Sequence, residues 1–164
     1  MNNIGGVILV SFVQTVHVLL AGTWFGGVAF TTLVVTPALA AMKWSEAERV
    51  GVRAEIGRQY ARVGSVNLVL LAVFAILYGA LGGFGALLYA EYALLPLLFG
   101  LVAAHGAYFG RRLVKLADAE LRSASAKEVG EFARRRRSLQ GLSLKVSWAN
   151  LAVSAAVFVL AINA

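Results

Sequence analysis

The chain of 164 residues has no cysteine, two methionines, two prolines and two histidines. Without cysteine, disulfides and thiolate metal sites are excluded. Residues 1–42, 63–110 and 146–164 contain no Lys or Arg. Glu91 is the one acidic residue outside the two basic stretches. No carboxylate is expected within a span, which leaves no general base besides the two histidines, so hydrolytic chemistry has little support, and the serines Ser143, Ser147 and Ser154 read as helix-packing residues. Glu91 itself is expected at the outer interface.

What is present is apolar. Sixty per cent of the residues are hydrophobic and the mean hydropathy is +0.78, whereas a soluble domain is nearer half apolar. Four segments, about 7–36, 63–84, 90–113 and 143–163, are long enough for a ~30 Å hydrocarbon layer. The expected fold is all-α, a four-transmembrane-helix bundle forming one membrane domain over 1–164. The N-terminal segment lacks a basic n-region, and its apolar run is too long for the core of a cleavable signal peptide.

The charge is as informative as the apolar runs. All fifteen Lys and Arg lie in two stretches, Lys43 to Arg62 and Arg111 to Lys145. Basic residues are retained on the cytoplasmic side. Both stretches are therefore expected in the cytoplasm and both termini outside, in a prokaryotic cytoplasmic membrane. This topology accounts for the net charge of +7, and no basic face carries the interleaved aromatics of a nucleic-acid binder. The run Arg134 to Arg137 reads as an anchor against anionic headgroups.

Local signals fill in the helices. Gln14, His17, Ala21, Trp24, Val28 and Thr31 recur at three- and four-residue spacing and define one face of span 1. Pro37 is expected to kink or end that helix. Ser45 and Glu48 form a capping-box pattern, and Ser125 with Glu128 suggests a second start. Asn67, Leu71, Phe74 and Tyr78 share a face of span 2. Ser143, Ser147, Asn150 and Ser154 form a polar stripe on span 4, which belongs inside the bundle. Gly-rich faces on spans 1 and 3 are compatible with a homodimer.

Both histidines, His17 and His105, fall inside spans. An ionisable group in hydrocarbon is expensive and marks a functional site by default. Spans 1 and 3 run the same way and are diagonal neighbours in an up-down bundle, which offers one imidazole to each face of a haem b. Gly26 offers room, Trp24 and Tyr108 offer walls, and Arg62 and Arg111 offer cations for propionates. By helical rise His105 lies ~9 Å from Arg111, and His17 ~15–20 Å from the outer start of span 1. These depths leave the pair level or offset by a turn or two. The leading expectation is a b-type cytochrome-like protein with His17 and His105 as axial ligands, exchanging electrons with a redox partner or a lipid-soluble quinone. Copper is the alternative. Imidazole suits it, but Cu(I) is selected by Met and Cys, and only Met1 and Met42 are present. A cofactor-free structural subunit is the third reading.

The string HVLLAGTWFGGVAF, from His17 to Phe30, resembles the first-helix signature of the CopD-like membrane superfamily, in which a His is followed by a Trp and paired Gly. RQYARVGSVNLVLLAVFAILYGALGG resembles the next helix, and span 3 is more faintly similar. Relatives include copper-resistance protein D and the membrane protoporphyrinogen oxidases, which carry haem b. The resemblance implies a ligand role for His17, with Trp24, Gly26 and Gly27 as companions. His105 matches the third-helix His only loosely. The chain departs from the copper pattern in its scarcity of Met. It departs from the oxidase pattern in that Arg62, Arg111 and Arg112 sit at span ends.

Overall fold

The computed structural model describes residues 4–164, apart from the side chains of Ala47 and Ala107. It is all-α, and no strand occurs among the described residues. Four helices are long and apolar enough to cross a bilayer. We label them α1, Ile4–Ala41; α2, Glu46–Gly82; α3, Ala86–Arg122; and α4, Ala126–Asn163. The four expected spans are all present, but the helices are longer than the spans. A helix of 38 residues such as α4 is ~55 Å long at 1.5 Å per residue, well beyond the ~30 Å hydrocarbon layer. The reason is local. The basic stretches are themselves helix-forming, and nothing breaks the helix where they meet the apolar runs.

The helix starts and turns follow from particular residues. The Ser45 hydroxyl accepts from the Glu48 backbone N–H, and the Glu48 carboxylate accepts from the Ser45 backbone N–H. This capping box starts α2. Ser125 occupies the corresponding position before α4, but its side chain makes no capping bond. Pro37 does not end α1. The helix passes through a π-helical stretch, Thr31–Val35, and continues to Ala41. Proline crowds the carbonyl four residues back and cannot donate, and the wider π turn takes up that misfit. The Thr36 hydroxyl donates to the Thr31 carbonyl at 3.0 Å. In α3 a second π-helical stretch, Ala104–Gly110, links the apolar part to the basic part. Between α2 and α3 the chain reverses at Gly83, whose φ of +99° suits a residue with no Cβ.

Around the bundle α1 packs on α2 and α4, and α3 packs on α4 and more sparsely on α2. Helices α1 and α3 are therefore diagonal. The core is filled by Trp24 and Val28 of α1, Leu68 and Leu71 of α2, Leu98 of α3 and Val157 of α4. The outer faces carry Val7, Phe12, Leu19, Val63, Ile76 and Val159, all exposed, as a lipid-facing surface requires. At the basic end α2, α3 and α4 form a second small core, with Val50, Leu113 and Ala117 buried. Arg136 locks it. Its Nε donates to Glu120 Oε2 at 2.9 Å and its Nη1 to Glu46 Oε2 at 2.8 Å.

Candidate functional site: a buried histidine–glutamate pair

Glu91 is not at the outer interface. It lies five residues into α3, ~8 Å along the helix, and is 0% exposed. Leu88, Leu95 and Leu98 occupy the same inward face, so the spacing that buries them buries Glu91. His17, also 0% exposed, lies on the inward stripe of α1 with Ala21 and Trp24. The two meet across the diagonal of the bundle. His17 Nε2 is 3.1 Å from both Glu91 Oε2 and Glu91 Oε1. The ring of Tyr78, from α2, stacks on His17 with centroids 6.3 Å apart and planes 13° apart. The apolar segments therefore do contain a carboxylate, placed beside a base.

The pair is paired with itself but not saturated. His17 Nδ1 is buried without a hydrogen-bond partner. His17 Nε2 faces both carboxylate oxygens, and Glu91 Oε1 accepts no complete hydrogen bond. A neutral imidazole has one donor and one acceptor nitrogen, and an imidazolium has two donors. With Nε2 committed to Glu91, Nδ1 is unsatisfied in every protonation state. Buried polar atoms without partners are rare, and each points to a water, an ion or a ligand.

Three further polar side chains of the spans tie helices together, while Ser147 bonds within its own helix and Asn150 Oδ1 is buried without a hydrogen-bond partner. Trp24 Nε1 donates to Ser154 Oγ at 3.0 Å, joining α1 to α4. Asn67 Nδ2 donates to the Leu20 carbonyl at 3.1 Å, joining α2 to α1. The Tyr92 hydroxyl donates to the Ala75 carbonyl at 2.8 Å, joining α3 to α2. Gly27 makes room for Tyr60, whose hydroxyl oxygen is 2.8 Å from where a Cβ would be.

The residues expected around one haem divide between the two ends of the molecule. His105 is exposed on the π-helical stretch of α3, beside Phe109 at 6.2 Å between ring centroids. It lies fourteen residues beyond Glu91, ~21 Å along the same helix, whereas His17 touches Glu91. Tyr108 is exposed, and its hydroxyl accepts from Arg112 at 3.1 Å. Arg62, Arg111 and Gly26 are exposed too, and Trp24 is committed to Ser154. A haem held on both faces needs its imidazoles at one depth, and His17 and His105 do not fit that group. Copper fares no better by donor chemistry. Among the described residues no three His, Cys, Asp or Glu side chains come together, and the His17 site has no thioether or thiolate.

A groove of about 320 Å³ opens on the seam of α2 and α3. Ala72, Ile76, Phe84, Tyr92, Leu95 and Phe99 line it. Leu95 also belongs to the core.

The profile of a protein family described as Domain of unknown function (DUF4149) matches residues 19–121. The chain belongs to this family. The match takes in Trp24, Tyr78, Glu91 and His105 and stops two residues short of His17. No curated protein and no solved structure matches the chain. The family description carries no activity, so any functional reading rests on the site.

Proposed function

We propose that this integral membrane protein binds and releases a proton within the bilayer at His17 and Glu91, and works in proton-coupled exchange. One observation carries the reading: an acid and a base, each fully buried, face each other across the bundle while one ring nitrogen remains without a partner. Ionisable groups at membrane depth mark proton relays and substrate paths. With one shared proton the pair is neutral, whether written as His and GluH or as HisH⁺ and Glu⁻. Losing that proton leaves one buried negative charge, so proton loss is tied to whatever restores neutrality. The basic ends are assigned to the cytoplasm by the retention of Lys and Arg there, which puts the pair nearer the opposite surface.

A second reading treats the pair as a tether in a cofactor-free structural subunit, because it is the polar link across the diagonal. Infrared difference spectroscopy on the lipid-reconstituted protein separates the two. Proton exchange predicts a protonated-carboxyl band that appears and disappears with pH, vanishes in Glu91→Gln and shifts its midpoint in His17→Gln. A carboxyl signal that stays constant across pH 4 to 9 leaves only the tether.

A further inference from the structure

We propose that the groove between α2 and α3 admits a lipophilic organic cation to Glu91, which binds it in exchange for the proton. The inference rests on the proton-binding reading of the same pair and names its substrate class. The groove lies on the lipid-facing side of the bundle, so a hydrophobic ligand reaches it from the membrane. Its volume of about 320 Å³ is at the lower end of small-molecule sites. Phe84, Tyr92 and Phe99 turn aromatic rings into it, and aromatic faces attract cations. Leu95 lies one turn beyond Glu91 on the same face of α3 and lines both the groove and the core. With Tyr92, the residue after Glu91, also in the lining, the groove comes within one helical turn of Glu91 along α3.

Charge selects the ligand. Glu91 is the one acid in the apolar segments, and its Oε1 lacks a complete hydrogen bond. The titratable groups around it are His17 from α1, Tyr78 from α2 and its neighbours Tyr89 and Tyr92 on α3. Helix α4 brings no ionisable residue between 146 and 163. Once the shared proton leaves to water, the pair is a neutral imidazole and a carboxylate. One monovalent cation then restores neutrality, and the bond that held the proton, O–H at Glu91 or N–H at His17, is replaced by an ion pair at the carboxylate. A proton and the cation together would leave a net positive charge buried, so they exclude each other. A metal ion would need a larger donor set than the described residues gather, whereas a diffuse organic cation needs one carboxylate and aromatic walls. The seam is the more sparsely packed side of α3, with Tyr92 bonded to Ala75 beside the groove.

The test uses the full-length protein in detergent with tetraphenylphosphonium as the probe. Calorimetry is run in buffers of different ionisation heat to count protons. The expected result is about one proton released per cation bound, with affinity rising about tenfold per pH unit while the pair is protonated. Binding falls at least tenfold in Glu91→Gln. It falls similarly in Ile76→Trp, an exposed lining position whose larger ring fills the groove and leaves the Glu91 infrared titration in place. Should Glu91→Gln fail to fold, Ile76→Trp and the proton count in the unaltered protein still decide. Equal binding of tetraphenylborate, which has the same shape and opposite charge, overturns the proposal, as does binding without proton release. No binding of the phosphonium in a protein whose Glu91 still titrates overturns the cation inference alone. Loss of the infrared titration in the unaltered protein removes the proton-binding reading beneath it.

Discussion

Among the described residues two buried sites of ionisable groups lie toward opposite ends of the bundle, built to opposite specifications. At the basic end Arg136 is 4% exposed and reaches two carboxylates, Glu120 and Glu46, that keep part of their surface in water. The hydrogen bonds that the guanidinium donates to Glu120 hold it above its ordinary range, so Arg136 stays charged at any working pH. In the apolar half His17 and Glu91 have only each other, and His17 keeps an unused nitrogen. A saturated, partly wetted cluster resists change. An unsaturated, dry pair sits between two charge states, and a small chemical event there has a large effect. The first is a fastener, and the second has the properties of a working site.

That contrast predicts a ranking of mutations. The largest effect belongs to His17→Ala, which strands an unpaired carboxylate in the core and destabilises the bundle by about 3–5 kcal/mol. The double change His17→Leu with Glu91→Leu removes both charges and recovers most of that loss, as measured by unfolding in mixed micelles. If the double variant is as unstable as the single one, the two residues do not act as a unit. Arg136→Ala comes next, at about 1–2 kcal/mol after allowance for solvent screening of its partners. Its signature is local: amide exchange speeds up over residues 46–56 and 126–139 and is unchanged around His17. An effect that spreads to His17 would merge the two sites into one network.

The smallest effect is at the capping box. The Ser45 hydroxyl and backbone N–H hold the Glu48 carboxyl below its ordinary value of 4.5. A lowered folded-state value means that the stabilisation is complete above about pH 4.5 and disappears as pH falls through the lower value. Ser45→Ala therefore weakens amide protection in the first turn of α2, and its further loss on acidification below pH 4.5 is smaller and complete at higher pH than in the unaltered protein. Exchange measured from pH 6 down to pH 3 checks this. Identical profiles would mean that the cap contributes nothing.

The sequence makes some of this legible and hides the rest for physical reasons. Four spans are readable because lipid demands unbroken apolar length, and the Ser45 cap is readable because it needs only local spacing. The inward face of α1 follows from periodicity, with His17, Ala21, Trp24 and Val28 all buried, whereas on α2 only Leu71 of the expected face is fully buried and Leu68 and Ala75 join it in the core. The helix ends are less legible, since no hydropathy signal marks where a helix leaves the bilayer and continues in water. Glu91 was missed because it lies close to the Gly82–Gly85 turn, where an acid is ordinarily wetted. The signal was nevertheless present. Glu91 shares the i−3, i+4 and i+7 face of Leu88, Leu95 and Leu98, and the rule applied to the two histidines applies equally to a lone acid. His105 misled for the converse reason. Its position in an apolar run says nothing about which side of the helix it occupies, and the π-helical stretch leaves it on an exposed face.

The length of α2 has a mechanical consequence. It is one rod from Glu46, which holds Arg136, to Tyr78, which lies on His17. These residues are thirty-two positions apart, ~48 Å at 1.5 Å per residue. A tilt of roughly five degrees about the Tyr78 end would sweep the far tip through about 4 Å, the width of a side chain. The helix is a lever, with its short arm at the dry pair and its long arm at the charged fastener.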